Sequence, residues 1–173
     1  MRFLCLTTVV CLLQVGAAAH AAAPAPVPVG ESVGEAYLQG LNGPDRSLSS
    51  YRGHPLLINV WASWCGPCRQ ETASLERLAW RDPKRQYALI GISTDDDRQQ
   101  ALNWLKRSNG TISHFLDRQL QMEHMLGASS LPLTVLIDAR GRVLARIYGA
   151  REWDSPESLA LIERMFGARA VGK

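Results

Sequence analysis

Cys65 and Cys68 are separated by Gly66-Pro67 and lie between an apolar run and a segment of helical periodicity. At that spacing two sulfurs can close a disulfide across the first turn of a helix. The first sulfur then sits at the helix N-terminus, where unpaired N–H groups and aligned peptide dipoles favour negative charge. That lowers the thiol pKa and enriches the thiolate, the form that attacks disulfides. The dipole contributes about 0.3–1 kcal/mol at an exposed position. Cys68, one turn deeper, is placed to attack a mixed disulfide and release the product. Other uses of the pair fit less well. A zinc site needs two further ligands, and His54, His114 and His124 show no paired spacing. Covalent haem needs His directly after the second cysteine, where this chain has Arg69. A loop this small constrains the unfolded chain little, so a purely structural disulfide gains little.

The chain has four cysteines, and the other two, Cys5 and Cys11, fall in a start that reads as a targeting segment. Met1-Arg2 is followed by an apolar stretch over residues 3–16, interrupted by Gln14, and then by Ala17-Ala18-Ala19-His20-Ala21. This is the order of charged start, apolar region and small-residue cleavage site of a secretory signal. Residues 1–21 are therefore expected to be a signal peptide. An uncleaved inner-membrane anchor is the alternative, although the apolar stretch is short for a span. A lipoprotein reading is weaker, because neither early cysteine follows the usual small residues. Cleavage would leave only Cys65 and Cys68, in an exported, periplasmic protein. One such pair is not the framework of a disulfide-stapled scaffold, so its use is expected to be chemical.

Positioning the pair falls to one globular domain. The 173 residues are 46% hydrophobic and 20% charged, enough for a core without staples. The net charge of +3 comes without a like-charged block, which argues against nucleic acid as partner. Residues 22–34, rich in Ala, Pro, Val and Gly, read as a flexible or extended lead-in to a domain over 35–170. Short strands near 36–39 and 47–48, joined through Asn42-Gly43, form an N-terminal β-hairpin, followed by a turn or helical turn over 49–53. Residues 55–61 are almost continuously apolar, the mark of a strand buried on both faces. A helix follows from Cys68 to about Arg81, then a strand over 87–93. Asp95-Asp96-Asp97 reads as the capped start of a helix to about Arg107, with acids near the positive end of its dipole, rather than a cation site. A short strand at 114–116, a helix at 119–126 and strands at 134–137 and 143–148 come next. Ser155-Pro156 caps and starts a final helix. The pattern predicts an α/β fold: a central mixed β-sheet flanked by helices.

The block Val60-Trp61-Ala62-Ser63-Trp64-Cys65-Gly66-Pro67-Cys68 resembles the active site of the thioredoxin superfamily. The signal segment, the Trp-Ala-Ser-Trp wording, Glu71 and the extra strand–helix stretch near 87–109 make the chain most similar to the exported TlpA/ResA/CcmG (DsbE) branch. The resemblance covers residues 36–166. It implies a thioredoxin-like fold and a dithiol that reduces disulfides of other proteins, with no cofactor and no metal. The usual clients in that branch are apocytochromes c or copper-site assembly proteins, and a membrane electron donor of the DsbD/CcdA kind recharges the dithiol. A monomer is expected.

The resemblance also implies roles. Pro132 is expected in cis facing the disulfide, leaving the backbone of Leu131 for an extended client. Where the family often has Gly-x-Pro-Thr, this chain has Ser130-Leu131-Pro132-Leu133-Thr134, so the bulk of Leu131 is expected to alter client preference. Trp64, Gly66 and Pro67 are the other expected client contacts; packing alone would also account for Trp61 and Trp64. Glu71 is expected to handle protons, although without the resemblance it reads as a solvated helix carboxylate. Thioredoxin keeps a buried Asp where this chain has Asn59, which cannot titrate; proton transfer at Cys68 then falls to Glu71 or water. Thr72-Ala73 stands where the family often has proline, which predicts a less kinked helix. Two alternatives stay open: an oxidase or isomerase on the same fold, and a copper-binding or redox-sensing module, against which no His lies at an obvious ligand spacing.

Overall fold

A computed structural model of the chain describes residues 25–81 and 87–167. The expected signal peptide, residues 22–24 of the lead-in and residues 168–170 lie outside them. The strands are β1 (Tyr37–Gly40), β2 (Arg46–Ser47), β3 (Leu56–Trp61), β4 (Ala88–Ser93), β5 (Ser113–Leu116), β6 (Leu133–Ile137) and β7 (Val143–Tyr148). The helices are α1 (Gly66–Arg81), α2 (Arg98–Ser108), α3 (Gln121–Leu126) and α4 (Pro156–Phe166). The strands form one seven-stranded mixed sheet in the order β2-β1-β5-β4-β3-β6-β7.

β3 lies within the sheet, and all six of its residues are buried. This is why its sequence runs apolar without alternation. It pairs in parallel with β4, Leu56 opposite Ala88 through Trp61 opposite Ser93, and antiparallel with β6, where Asn59 faces Thr134. Two parallel crossovers, β3–α1–β4 and β4–α2–β5, advance in the same direction, so their right-handedness puts both helices on one face. The side chains agree. Leu57, Leu75, Leu78, Leu89, Trp153 and Ile162 join α1 and α4 to that face, and Trp61, Ala101, Leu105 and Leu116 join α2 to it. The opposite face, with Ile58, Val60, Ile90 and Ile92, packs against Val33 and against Met122 and Leu126 of α3. Gly91 is needed where Trp61 and His114 meet edge to face, since a Cβ there would lie 2.1 Å from the His114 ring.

The helix boundaries follow local chemistry. Ser155 accepts from the Ser158 N–H and precedes Pro156. Asp97 accepts from the Gln99 N–H, and Asn109 ends α2 in the left-handed region. Two expectations need correction. Of the three acids expected to open α2, Asp97 caps it, whereas Asp95 is buried away from it. The lead-in does not hang free over its described part. Gly30 and Val33 donate to Val143 and Gly141, and Val143 donates back to Glu31. Val27 donates to Met125 of α3, and Arg146 donates to the carbonyls of Leu126 and Val27. Apolar residues such as Val33, which is buried, make this stretch part of the core rather than a linker.

Candidate active site

The sulfurs sit where β3 hands over to α1. β3 ends at Trp61, residues 62–65 cross the top of the sheet, and α1 begins at Gly66, two residues earlier than expected. Cys65 and Cys68 form a disulfide with S–S 2.03 Å and Cα–Cα 5.3 Å. The Cys68 N–H points at the Cys65 sulfur, 3.2 Å away, and the Cys65 carbonyl accepts from Arg69. The helix N-terminus therefore meets the sulfur that would carry the charge. Both cysteines are buried, 5% and 2% exposed, among Trp61, Ala62 and Leu116.

The way in is a groove of about 540 Å³ that brings together Trp64, Cys65, Gly66, Pro67 and Leu131. Trp64 is 66% exposed, a large apolar surface beside the disulfide. Leu131 packs on the cluster that holds both cysteines. The Leu131-Pro132 bond is cis, and the Pro132 carbonyl accepts from Gly149. Sequence reasoning had not placed Asp96 and Glu123 on this groove. Burial raises the pKa of the Glu123 carboxyl, partly offset by nearby His124.

Glu71 is not a solvated carboxylate, since it is 1% exposed. One turn after Cys68 along α1, its Oε1 accepts from Asn59 Nδ2 at 2.7 Å. Its Oε2 accepts from the Trp153 indole at 3.0 Å and the Arg151 N–H at 3.3 Å. Asn59 is satisfied on its other side by Thr134 Oγ1 at 3.1 Å. Burial raises the Glu71 pKa above its ordinary 4.5, while the bonds from Asn59, Trp153 and Arg151 hold it back. A cleft lined by Gln70, Ala150, Arg151 and Glu152 opens beside it. Trp153 carried no sequence signal, because only packing of the α4 approach against α1 brings it to Glu71.

This burial has a thermodynamic signature. A carboxyl whose folded pKa exceeds its unfolded one holds more protons when folded between the two values, so stability falls as pH rises through that window. We expect urea unfolding of the oxidised protein to show this fall above pH 4.5, and Glu71→Gln to flatten it. Equal slopes in the two proteins would mean that Glu71 does not bear the shifted ionisation.

A family model described as Redoxin matches residues 18–162. The chain belongs to the Redoxin family. Among Redoxin relatives it is 36% identical to the thiol:disulfide interchange protein DsbE of Vibrio cholerae, over 79% of this chain and 75% of that protein. It is 29% identical to the thiol-disulfide oxidoreductase ResA of Geobacillus thermodenitrificans, over 71% of each. A solved DsbE-type structure from Chlorobium tepidum covers 84% of this chain and 99% of its own, with TM-score 0.72 and 24% identity. That likeness fixes the thioredoxin-like fold, seen here as the mixed sheet flanked by helices with a β-hairpin at its start. With its closed Cys65–Cys68 pair, this Redoxin member is a thiol–disulfide oxidoreductase of the DsbE and ResA type. No helix among the described residues is long and apolar enough to cross a membrane.

Proposed function

We propose that the chain works in the periplasm, exported by its first 21 residues, as a reductase of disulfides in client proteins. In the reduced protein the Cys65 thiolate attacks one sulfur of a client disulfide. A Cys65–client disulfide forms, and the other client sulfur leaves as a thiolate that takes up a proton. Glu71, ionised, accepts the Cys68 proton. The Cys68 thiolate then attacks Cys65, closes the internal disulfide and expels the second client sulfur. Two electrons pass from the dithiol to the client, and a membrane donor of DsbD/CcdA type restores them.

The observation that carries this reading is the buried Glu71, one turn behind Cys68, with its pKa raised by burial. A base poised nearer neutrality suits proton removal from a thiol. The groove supports an extended client laid along Trp64, Pro67 and the backbone before Pro132. Apocytochromes c and copper-site assembly proteins are the client classes of this proposal.

The direction of electron flow is tested by equilibrating the Cys65–Cys68 pair with glutathione buffers. A reductase is expected to lie nearer thioredoxin's potential of about −270 mV than the roughly −120 mV of the oxidant DsbA. A pair that stays reduced in oxidising glutathione would make the protein an oxidase instead.

A further inference from the structure

Ser63 lies two residues before Cys65, and each of its polar groups is engaged. Its N–H donates to both oxygens of Asp95, at 2.9 and 3.2 Å. Its hydroxyl donates to Asp95 Oδ1 at 2.7 Å, and its carbonyl accepts from the Arg69 guanidinium at 3.1 Å. Asp95 is 1% exposed, and its Oδ2 also accepts from the Ser93 hydroxyl at 2.7 Å. Next to it, the Thr94 N–H donates to the Trp61 carbonyl at 2.9 Å. The loop after β4 is thus stitched to the loop after β3, the one that delivers Cys65 to α1.

A buried carboxylate is costly unless hydrogen bonds satisfy it. Asp95 makes no ion pair among the described residues, so these donors hold it. Its bonds to them are charge-assisted, hence stronger than neutral ones. The Ser63 peptide N–H cannot turn elsewhere, so the carboxylate fixes the chain direction just ahead of the sulfur.

We propose that Asp95 is a positioning residue for Cys65: by holding Ser63, it sets the Cys65 sulfur against the Cys68 N–H and the start of α1. This role rests on Cys65 being the attacking thiol. Without the clamp, residues 62–65 can drift, and the thiolate loses the N–H groups and dipole that favour it.

The test is the pH dependence of iodoacetamide alkylation in the reduced protein, with mass spectrometry assigning the modified cysteine. Thermal unfolding of each oxidised variant reports folding. In the wild type, Cys65 is expected to react first, with a midpoint below the ordinary thiol value of about 8.5. Asp95→Ala should raise that midpoint by about one pH unit and slow alkylation at pH 7 by roughly tenfold. Asp95→Asn keeps an oxygen for the Ser63 N–H, so its shift should have the same sign and be smaller. Ser63→Ala should shift it slightly upward, and should add nothing to Asp95→Ala, where the hydroxyl has already lost its acceptor. An unchanged midpoint in folded Asp95→Ala overturns the role. So does an equal downward shift in Asp95→Ala and Asp95→Asn, which would mean that charge alone acts. If Asp95→Ala does not fold, Asp95→Asn and Ser63→Ala must each raise the midpoint, or the role fails. Alkylation of Cys68 ahead of Cys65 in the wild type is a separate outcome: it overturns the assignment of the attacking thiol.

Discussion

Cys65→Ser is expected to abolish disulfide exchange, while Cys68→Ser should retain the first step and accumulate covalent protein–client adducts. The asymmetry follows from the geometry. The Cys65 sulfur receives the Cys68 N–H at 3.2 Å, borders the groove and follows directly from the loop held by Asp95. In the proposed mechanism it is the sulfur with both access and nearby N–H groups to favour a thiolate. Cys68 lies inside the first turn of α1, does not line the groove and is placed to attack Cys65. Serine at 65 leaves no thiolate to begin the exchange, so turnover of a disulfide substrate should drop to the uncatalysed rate. Serine at 68 removes the second attack, so the mixed disulfide persists until an external thiol resolves it. Non-reducing electrophoresis of each variant after incubation with a disulfide-bearing client separates the two. An active Cys65→Ser protein, or a Cys68→Ser protein that turns over at the wild-type rate, would sink the division of labour.

What the sequence disclosed and what it hid divide along sequence distance. The two cysteines, the buried strand before them, the Ser155-Pro156 start of α4 and the Asp97 cap are local patterns, and each is found where its residues indicate. Glu71 was ambiguous for a physical reason. A carboxylate on a helix is ordinarily solvated, and the indole that gives this one a buried partner comes from 82 residues away. Asp95 misled in the same way. Three consecutive acids before a helix look alike in sequence, yet of the donors that draw Asp95 inward only the Ser93 hydroxyl is local, and the Ser63 N–H and hydroxyl come from a loop 32 residues earlier. The Ala and Pro content of the lead-in is compatible with a flexible or an extended stretch, and its pairing with residues 141–143 depends on where the β6–β7 turn ends up. Only the resemblance suggested in advance that the Leu131-Pro132 bond is cis, since an X-Pro sequence permits either isomer.

Trp153→Ala should produce the largest loss of stability, because Trp153 serves packing and the polar site together. Its side chain is 0% exposed and lies in the cluster that joins α1 and α4 to the sheet. Truncating a buried aromatic leaves a cavity that the helices cannot fully close, at a cost of about 3–5 kcal/mol. For a domain of this size the midpoint of thermal unfolding should fall by roughly 10–20 °C. Trp153→Phe separates the two roles. It keeps most of the volume and removes the indole N–H from Glu71 Oε2, leaving a buried acceptor short of one bond at a cost of about 1–3 kcal/mol. That N–H is one of the groups restraining the raised pKa of Glu71, so its loss should raise the pKa further. Fewer Glu71 side chains are then ionised near neutral pH. If Glu71 takes the Cys68 proton, closure of the internal disulfide should slow at neutral pH and recover as pH rises. Stopped-flow measurement of that step in Trp153→Phe, read beside urea unfolding, checks both arms. A variant that is destabilised but has a wild-type pH profile would assign Trp153 to packing alone and remove Glu71 from the proton path.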